Sequence, residues 1–164
     1  MRILLYTLLT LALPQFEAFM QAHHPRYPIV FIPGDGGSQV EARLNKTNVV
    51  HYLCAKKSDW YDLWLNIEQM VPEIIDCWAD NMKMQYDPKS RTTRNNDGVE
   101  IRIPGFGNST TVEYLDPSLT SLSIYFATVA KHLLPLGYQR GIDMHGAPYD
   151  FRKAASKFDF SFIC

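Results

Sequence analysis

The sequence predicts an α/β fold on three observations. A short apolar run, Tyr27-Pro28-Ile29-Val30-Phe31-Ile32, ends abruptly in Pro33-Gly34-Asp35-Gly36-Gly37-Ser38, as a buried strand feeding a glycine-rich loop does. Two stretches alternate with period two: Met82, Met84 and Tyr86 against Lys83 and Gln85, then Val99, Ile101 and Ile103 against Glu100 and Arg102. Two others carry apolar residues at helical spacing: Trp60, Leu63, Trp64 and Ile67 within Ser58–Val71, and Leu122, Tyr125, Phe126, Val129 and Leu133 within Ser118–Leu134.

In chain order, residues 1–22 read as a secretory signal. Arg2 supplies the positive start, Ile3–Leu13 is an uncharged apolar run of 11 residues, and Pro14 ends it. That run is shorter than the roughly 20 residues a bilayer span needs; the alternative is a buried core helix. The strand at 27–32 and its glycine loop follow. Gln39–Asn45 is polar and is expected at the surface. The predicted helix over Ser58–Val71 sets its four apolar residues against Asp59, Asp62, Asn66 and Gln69, and Pro72 bends or breaks it. Asp87-Pro88 and Asn95-Asn96-Asp97-Gly98 are turn signals around the alternating strands. Thr110–Leu115 is expected to be a strand. The second helix stops at Pro135 and Gly137, and Tyr138 onward is loop or strand.

Composition narrows the function. A chain of 164 residues is about one domain, and 46% hydrophobic with 20% charged residues is globular, not disordered or multi-pass. Sixteen Lys and Arg against 17 Asp and Glu give a net charge of −1, which lacks the basic excess of a nucleic-acid binder. Aromatic residues at 13% call for a sizeable core or an apolar surface to meet. In an oxidising compartment Cys54 and Cys77 are the natural pair, worth about 3 kcal/mol by chain entropy; two buried free thiols are the alternative, and Cys164 is left over. Asn45-Lys46-Thr47 and Asn108-Ser109-Thr110 are glycosylation acceptors that agree with secretion.

The glycine loop is the first place for chemistry. It lacks the Gly-Lys-Ser/Thr of a phosphate loop and the third glycine of a dinucleotide fingerprint. Small side chains after a buried strand can still aim backbone N–H groups at a developing oxyanion; a plain turn is the alternative. None of the serines at 38, 58, 90, 109, 118, 121, 123, 156 and 161 lies in a Gly-x-Ser-x-Gly elbow. No His-Glu-x-x-His or paired-cysteine zinc spacing is present. His23 and His24 read as solvated, and His51, His132 and His145 as structural or surface residues. Trp60, Tyr61, Leu63 and Trp64 crowd together just after Lys56 and Lys57, a composition suited to an anionic lipid surface; rings facing the core are the alternative.

Five blocks then occur in a telling order: Ile29–Ala42 (IVFIPGDGGSQVEA), Val49–Lys57 (VVHYLCAKK), Ile74–Trp78 (IIDCW), Asp97–Gly107 (DGVEIRIPGFG) and Gly137–Arg152 (GYQRGIDMHGAPYDFR). Together they resemble the N-terminal part of the lecithin:cholesterol acyltransferase family over roughly residues 25–155. The resemblance implies an α/β-hydrolase fold with a Ser-Asp-His triad and no metal or cofactor. It also implies a phospholipid acyl donor, with water or a lipid alcohol as acceptor. The family's loop amide for the oxyanion maps onto Asp35. Its small disulfide loop maps onto Cys54–Cys77, and its membrane-binding aromatic segment onto Trp60–Leu65. The implied partners are a phospholipid membrane or lipoprotein surface and a lipid substrate, reached through the secretory pathway in the lysosomal lumen or outside the cell.

The elbow serine and the later Asp and His of that pattern do not occur in these residues. The chain therefore reads as an incomplete α/β-hydrolase: signal 1–22, the N-terminal part of the domain 23–155 with a disulfide loop and lipid-contacting helix at 54–77, and a divergent tail 156–164. Alone it is expected to be inactive, with apolar strand faces left open. Two other readings compete, a non-catalytic lipid-surface module and a non-functional truncated product.

Overall fold

A computed structural model describes residues 27–118 and 121–153. The expected signal at 1–22, His23, His24, the tail at 156–164 and Cys164 lie outside the described residues. Among the described residues there are seven strands and three α-helices, in the order β1 (Ile29–Phe31), β2 (Val40–Asn45), β3 (Lys57–Trp64), α1 (Ile75–Met82), β4 (Met84–Asp87), β5 (Thr92–Asn95), β6 (Val99–Arg102), α2 (Thr110–Glu113), α3 (Ala127–Leu133) and β7 (Met144–Gly146). The architecture is mixed α/β, a partial α/β-hydrolase-like arrangement. Among the described residues no helix is long and apolar enough to cross a membrane.

The strands form three sheets. β1 pairs in parallel with β7, Ile29 opposite Met144 and Phe31 opposite Gly146. β2 is the middle strand of an antiparallel sheet in the order β3-β2-β6, and β4 and β5 form a hairpin. The first strand, its glycine loop and the alternating segment at 99–102 fall where the sequence puts them.

Four segments differ from expectation. Gln39–Asn45 is not a surface stretch: Val40, Ala42 and Leu44 are buried and Gln39 is largely buried, because the period-two pattern faces its small apolar residues inward between two partner strands. Ser58–Val71 is not a helix. Residues 57–64 are β3, and a 3-10 turn follows at Ile67–Met70. A stripe at i, i+3, i+4 and i+7 made of Trp, Leu and Ile suits a pleated surface as well, and β2 offers a ladder to pair with. Thr110–Glu113 is a helical turn instead of a strand. The Asn108 side chain accepts the Thr110 N–H at 3.0 Å, and Glu113 is drawn inward to Arg140. The second helix begins at Ala127, not near 118, because Tyr114 bridges Ile124 and the chain makes a 3-10 turn at Ser121–Ser123.

Two cores result. Val40, Ala42, Leu44, Leu63 and Val99 form one, flanked by Tyr61, Trp64, Trp78, Met82 and Phe151. Phe31, Val112, Ala130 and Met144 form the other, against Ile29, Phe126 and Leu133. A buried polar lock ties α1 to the end of β2: Lys46 pairs with Asp80 and donates to Asn81 Oδ1 at 2.8 Å, while Asn96 donates to the Asp80 carbonyl at 2.9 Å. Burial alone would raise the Asp80 carboxyl, but Lys46 and Lys83 outweigh it and hold it below its ordinary value. Gly98 turns the chain beside this lock at φ 72°, where a Cβ would sit 2.5 Å from the Asn45 carbonyl oxygen.

Candidate functional site

The loop between β1 and β2 is built to present backbone. Pro33 is buried under it and the Gly37 N–H closes a turn onto the Gly34 carbonyl at 3.0 Å. Gly36 takes φ 72°, a left-handed conformation that glycine adopts without strain. Two aromatic side chains grip the loop on either side of Asp35. The Gly34 N–H donates to the Tyr125 hydroxyl at 3.1 Å, and the Trp64 indole N–H donates to the Gly36 carbonyl at 2.7 Å. Ser38 is fully buried and accepts the Tyr149 N–H at 3.0 Å, which fixes the loop's exit. Among the described residues the Asp35 N–H donates to nothing, and its side chain is exposed.

Beside this loop lies an open concavity of about 450 Å³ lined by Asp35, Gly36, Trp64, Trp78, Met82, Phe151 and Arg152. Its walls are mainly apolar. Trp64 meets Trp78 with ring centres 6.1 Å apart and Phe151 at 6.0 Å, and the Trp78 indole N–H donates to the Leu63 carbonyl at 3.0 Å. Arg152 brings no free charge, because it is bonded to Asp150, to Asn95 at 3.0 Å and to the Met82 carbonyl at 3.3 Å. Burial would raise Asp150, but Arg152 and then Lys153 hold it below its ordinary value. An apolar hollow next to an unengaged amide suits an ester whose carbonyl oxygen gains charge while its hydrocarbon stays dry. The sequence pointed to Asp35 as an oxyanion amide and to Trp64 as a lipid contact, and singled out none of Trp78, Met82, Tyr125, Phe151 and Arg152 for the site. No local pattern marks these residues, since they converge from distant segments.

Cys54 and Cys77 form a disulfide, with Cα atoms 5.3 Å apart across a separation of 23 residues. The aromatic residues beyond it divide their duties. Trp60 lies on the outer face of the sheet with two guanidinium groups close to its ring, Arg102 at 4.3 Å and Arg43 at 5.2 Å from the ring centre. Tyr61 packs against the core and its hydroxyl accepts from Asn81 at 3.1 Å; burial pushes its pKa up. Leu63 is fully buried and Trp64 faces the glycine loop. The exposed apolar residues here are instead Val50, Tyr52 and Leu53 before the disulfide, and Ile67, Val71 and Ile75 ahead of Cys77. Lys56 and Lys57 are exposed at the start of β3. Asn45 and Asn108 are both exposed. His51, His132 and His145 stay apart, and among the described residues no three His, Cys, Asp or Glu side chains converge as metal ligands.

The family model described as lecithin:cholesterol acyltransferase matches residues 60–162. The chain is 48% identical over 155 residues to the lysosomal phospholipase A and acyltransferase of Homo sapiens, an alignment covering 94% of this chain and 37% of that protein. Against the Canis lupus familiaris protein of the same name it is 50% identical over 133 residues, covering 80% and 33%. Against the phosphatidylcholine-sterol acyltransferase of Homo sapiens it is 40% identical over 132 residues, covering 80% and 29%. The chain thus spans about a third of the length of the curated relatives it matches.

Proposed function

Because the chain belongs to the lecithin:cholesterol acyltransferase family, we propose that it carries the oxyanion side of a serine-dependent acyl-transfer site acting on glycerophospholipids. The reading rests on the Asp35 amide, left unengaged while Tyr125 and Trp64 hold the backbone on both sides of it. In such a reaction a serine hydroxyl, giving its proton to a general base, attacks the ester carbonyl carbon and the carbonyl oxygen becomes an anion; the base then returns the proton to the departing alkoxy oxygen. A preset N–H stabilises that charge without reorganising, an effect of about 2.7–4 kcal/mol per donor in related sites. The lyso-lipid leaves, and water or a lipid alcohol takes the acyl group from the serine. The apolar concavity beside Asp35 supports this by offering an acyl chain a dry wall. The relatives' names support a secretory route ending in the lysosome.

These 164 residues contain no Gly-x-Ser-x-Gly frame. A polypeptide of these residues alone is expected to release no fatty acid from phosphatidylcholine liposomes. Measurable release would overturn the assignment of Asp35 to a partner serine. Transcripts carrying the codon for Ala155 are expected to include one that reads on in frame to an apolar strand and that elbow; a locus encoding none defeats the reading.

A lipid-surface role for the disulfide loop is favoured by a separate observation, the exposure of Tyr52 at 85% together with Val50, Leu53, Ile67, Val71 and Ile75 near exposed Lys56 and Lys57. Tyr52→Ala with Leu53→Ala is expected to weaken co-sedimentation with anionic liposomes more than Trp60→Ala does, since the Trp60 ring already meets the guanidinium groups of Arg43 and Arg102. Equal losses would return the contact to the β3 aromatics.

A further inference from the structure

The end of β3 holds a carboxylate in an unusual setting. Asp62 stands directly across from Glu41 of β2, so two acidic side chains share one position of the outer sheet face. Like charges in that relation destabilise a strand pair. Glu41 is ion-paired with Arg102 of β6, which leaves that cation engaged. A third acid near enough to act on Asp62 is Asp116, in the turn after α2, its carboxylate held by the Ser118 N–H at 2.8 Å and hydroxyl at 2.7 Å. Asn66, just ahead of the 3-10 turn that follows β3, is neutral and its amide donates to the Asp62 main-chain carbonyl at 2.8 Å, while the turn itself carries a further acid, Glu68, and no cation. Asp62 Oδ1 is buried and has no hydrogen-bond partner, and among the described residues no Lys, Arg or His reaches the side chain.

We propose that Asp62 is a proton-operated latch between β3 and the turn at 115–118, closed when the carboxyl carries its proton and loosened when it ionises. The mechanical link is short. Leu65, three residues on, donates its N–H to the Leu115 carbonyl at 2.9 Å, and Trp64 between them holds Gly36. A neutral Asp62 leaves the buried oxygen short of one hydrogen bond. An ionised Asp62 places a third negative charge against Glu41 and Asp116 with no compensating cation, and moving the strand end toward water is the available relief. Burial first, then Asp116, then Glu41, push its carboxyl up to about 7 from an ordinary 3.8. The sign follows from linkage. The folded chain holds this proton more tightly than the unfolded one, so the contribution to stability is full below the ordinary value and is lost as pH rises through about 7. The latch is therefore closed in an acidic lumen and open at neutral pH. Its bearing on catalysis, through Trp64 and the glycine loop, rests on the acyl-transfer reading; the latch itself does not.

The test uses the chain with carbon-13-labelled aspartate carboxyls, followed by NMR from about pH 4 to about pH 8. One carboxyl is expected to titrate near 7, to vanish in Asp62→Asn and to move down by about one unit in Asp116→Asn. Over the same range the protection factors of the Leu65 amide and the Trp64 indole N–H, taken relative to the intrinsic base-catalysed rate at each pH, are expected to fall on the order of tenfold above the midpoint in the parent, and to show no such step in Asp62→Asn. An Asp62 carboxyl titrating in the ordinary range, or an exchange step that survives Asp62→Asn, overturns the proposal. If Asp62→Asn does not fold, the parent titration and its displacement in Asp116→Asn decide. Neither readout involves ester cleavage, so failure here is distinct from failure of the acyl-transfer reading.

Discussion

The antiparallel sheet β3-β2-β6 and the parallel pair β1-β7 solve the same problem differently. The antiparallel sheet is self-contained. One face buries Val40, Ala42, Leu44, Leu63 and Val99, and the other carries Arg43 against Glu100, Arg102 against Glu41, and Trp60 stacked among them. The parallel pair buries Phe31 and Met144, yet Val30 is 52% and Ile32 66% exposed, as are large parts of Leu136 and Ile142 beyond α3. Antiparallel sheets tolerate one wet face, whereas parallel strands ordinarily have both faces covered. In the parallel region a charged clamp supplements a small core. Glu113, only 2% exposed, takes both Arg140 nitrogens at 2.7 and 2.6 Å and the Ser109 hydroxyl at 2.8 Å. Those bonds to Glu113 raise the Arg140 pKa further.

That contrast can be broken first at the clamp. Arg140→Ala leaves a buried carboxylate without its cation and is expected to cost about 3–5 kcal/mol. Hydrogen exchange should then show protection lost in β1, α2 and β7 while β2 and β6 keep theirs; uniform loss would mean that the two regions fold as one unit. The corresponding cut in the other region is Leu63→Ala, with an expected cost of about 3 kcal/mol in urea unfolding and its loss of protection centred on β2 and β3. A cost under about 1 kcal/mol would show that this core is not what holds the sheet. The smallest effect on stability is expected from Ile32→Ser, within about 0.5 kcal/mol. The same change is expected to lower the light scattering of concentrated solutions, because it removes apolar surface from an open strand edge. Unchanged scattering would show that this edge is covered in solution.

Much of this division was legible in the residues. The run ending at Ile32 and its glycine loop, the alternation at 99–102 and the spacing of Cys54 and Cys77 are local patterns, and each appears in the fold. β2 was equally local in its alternation, but its inward residues include a small Ala42 and are separated by Glu41 and Arg43, so its polarity masked its position at the sheet centre. At 57–64 the apolar residues are spaced as on a helix and do not alternate, yet the segment is rich in aromatic residues that suit a strand. The choice between helix and strand fell to β2, whose free ladder lies about twenty residues away in sequence.

The sequence alone determined where the exposed backbone loop begins, which cysteines pair and to which family the residues belong, because each depends on neighbours in the chain or on a fixed order of blocks. Only the tertiary structure decided that Leu63 turns inward, that Tyr125 and Trp64 flank Asp35, and that Asp62 lacks a cation. Burial and charge are set by partners brought together across the fold, and the energies that choose among alternative faces arise only once those partners meet.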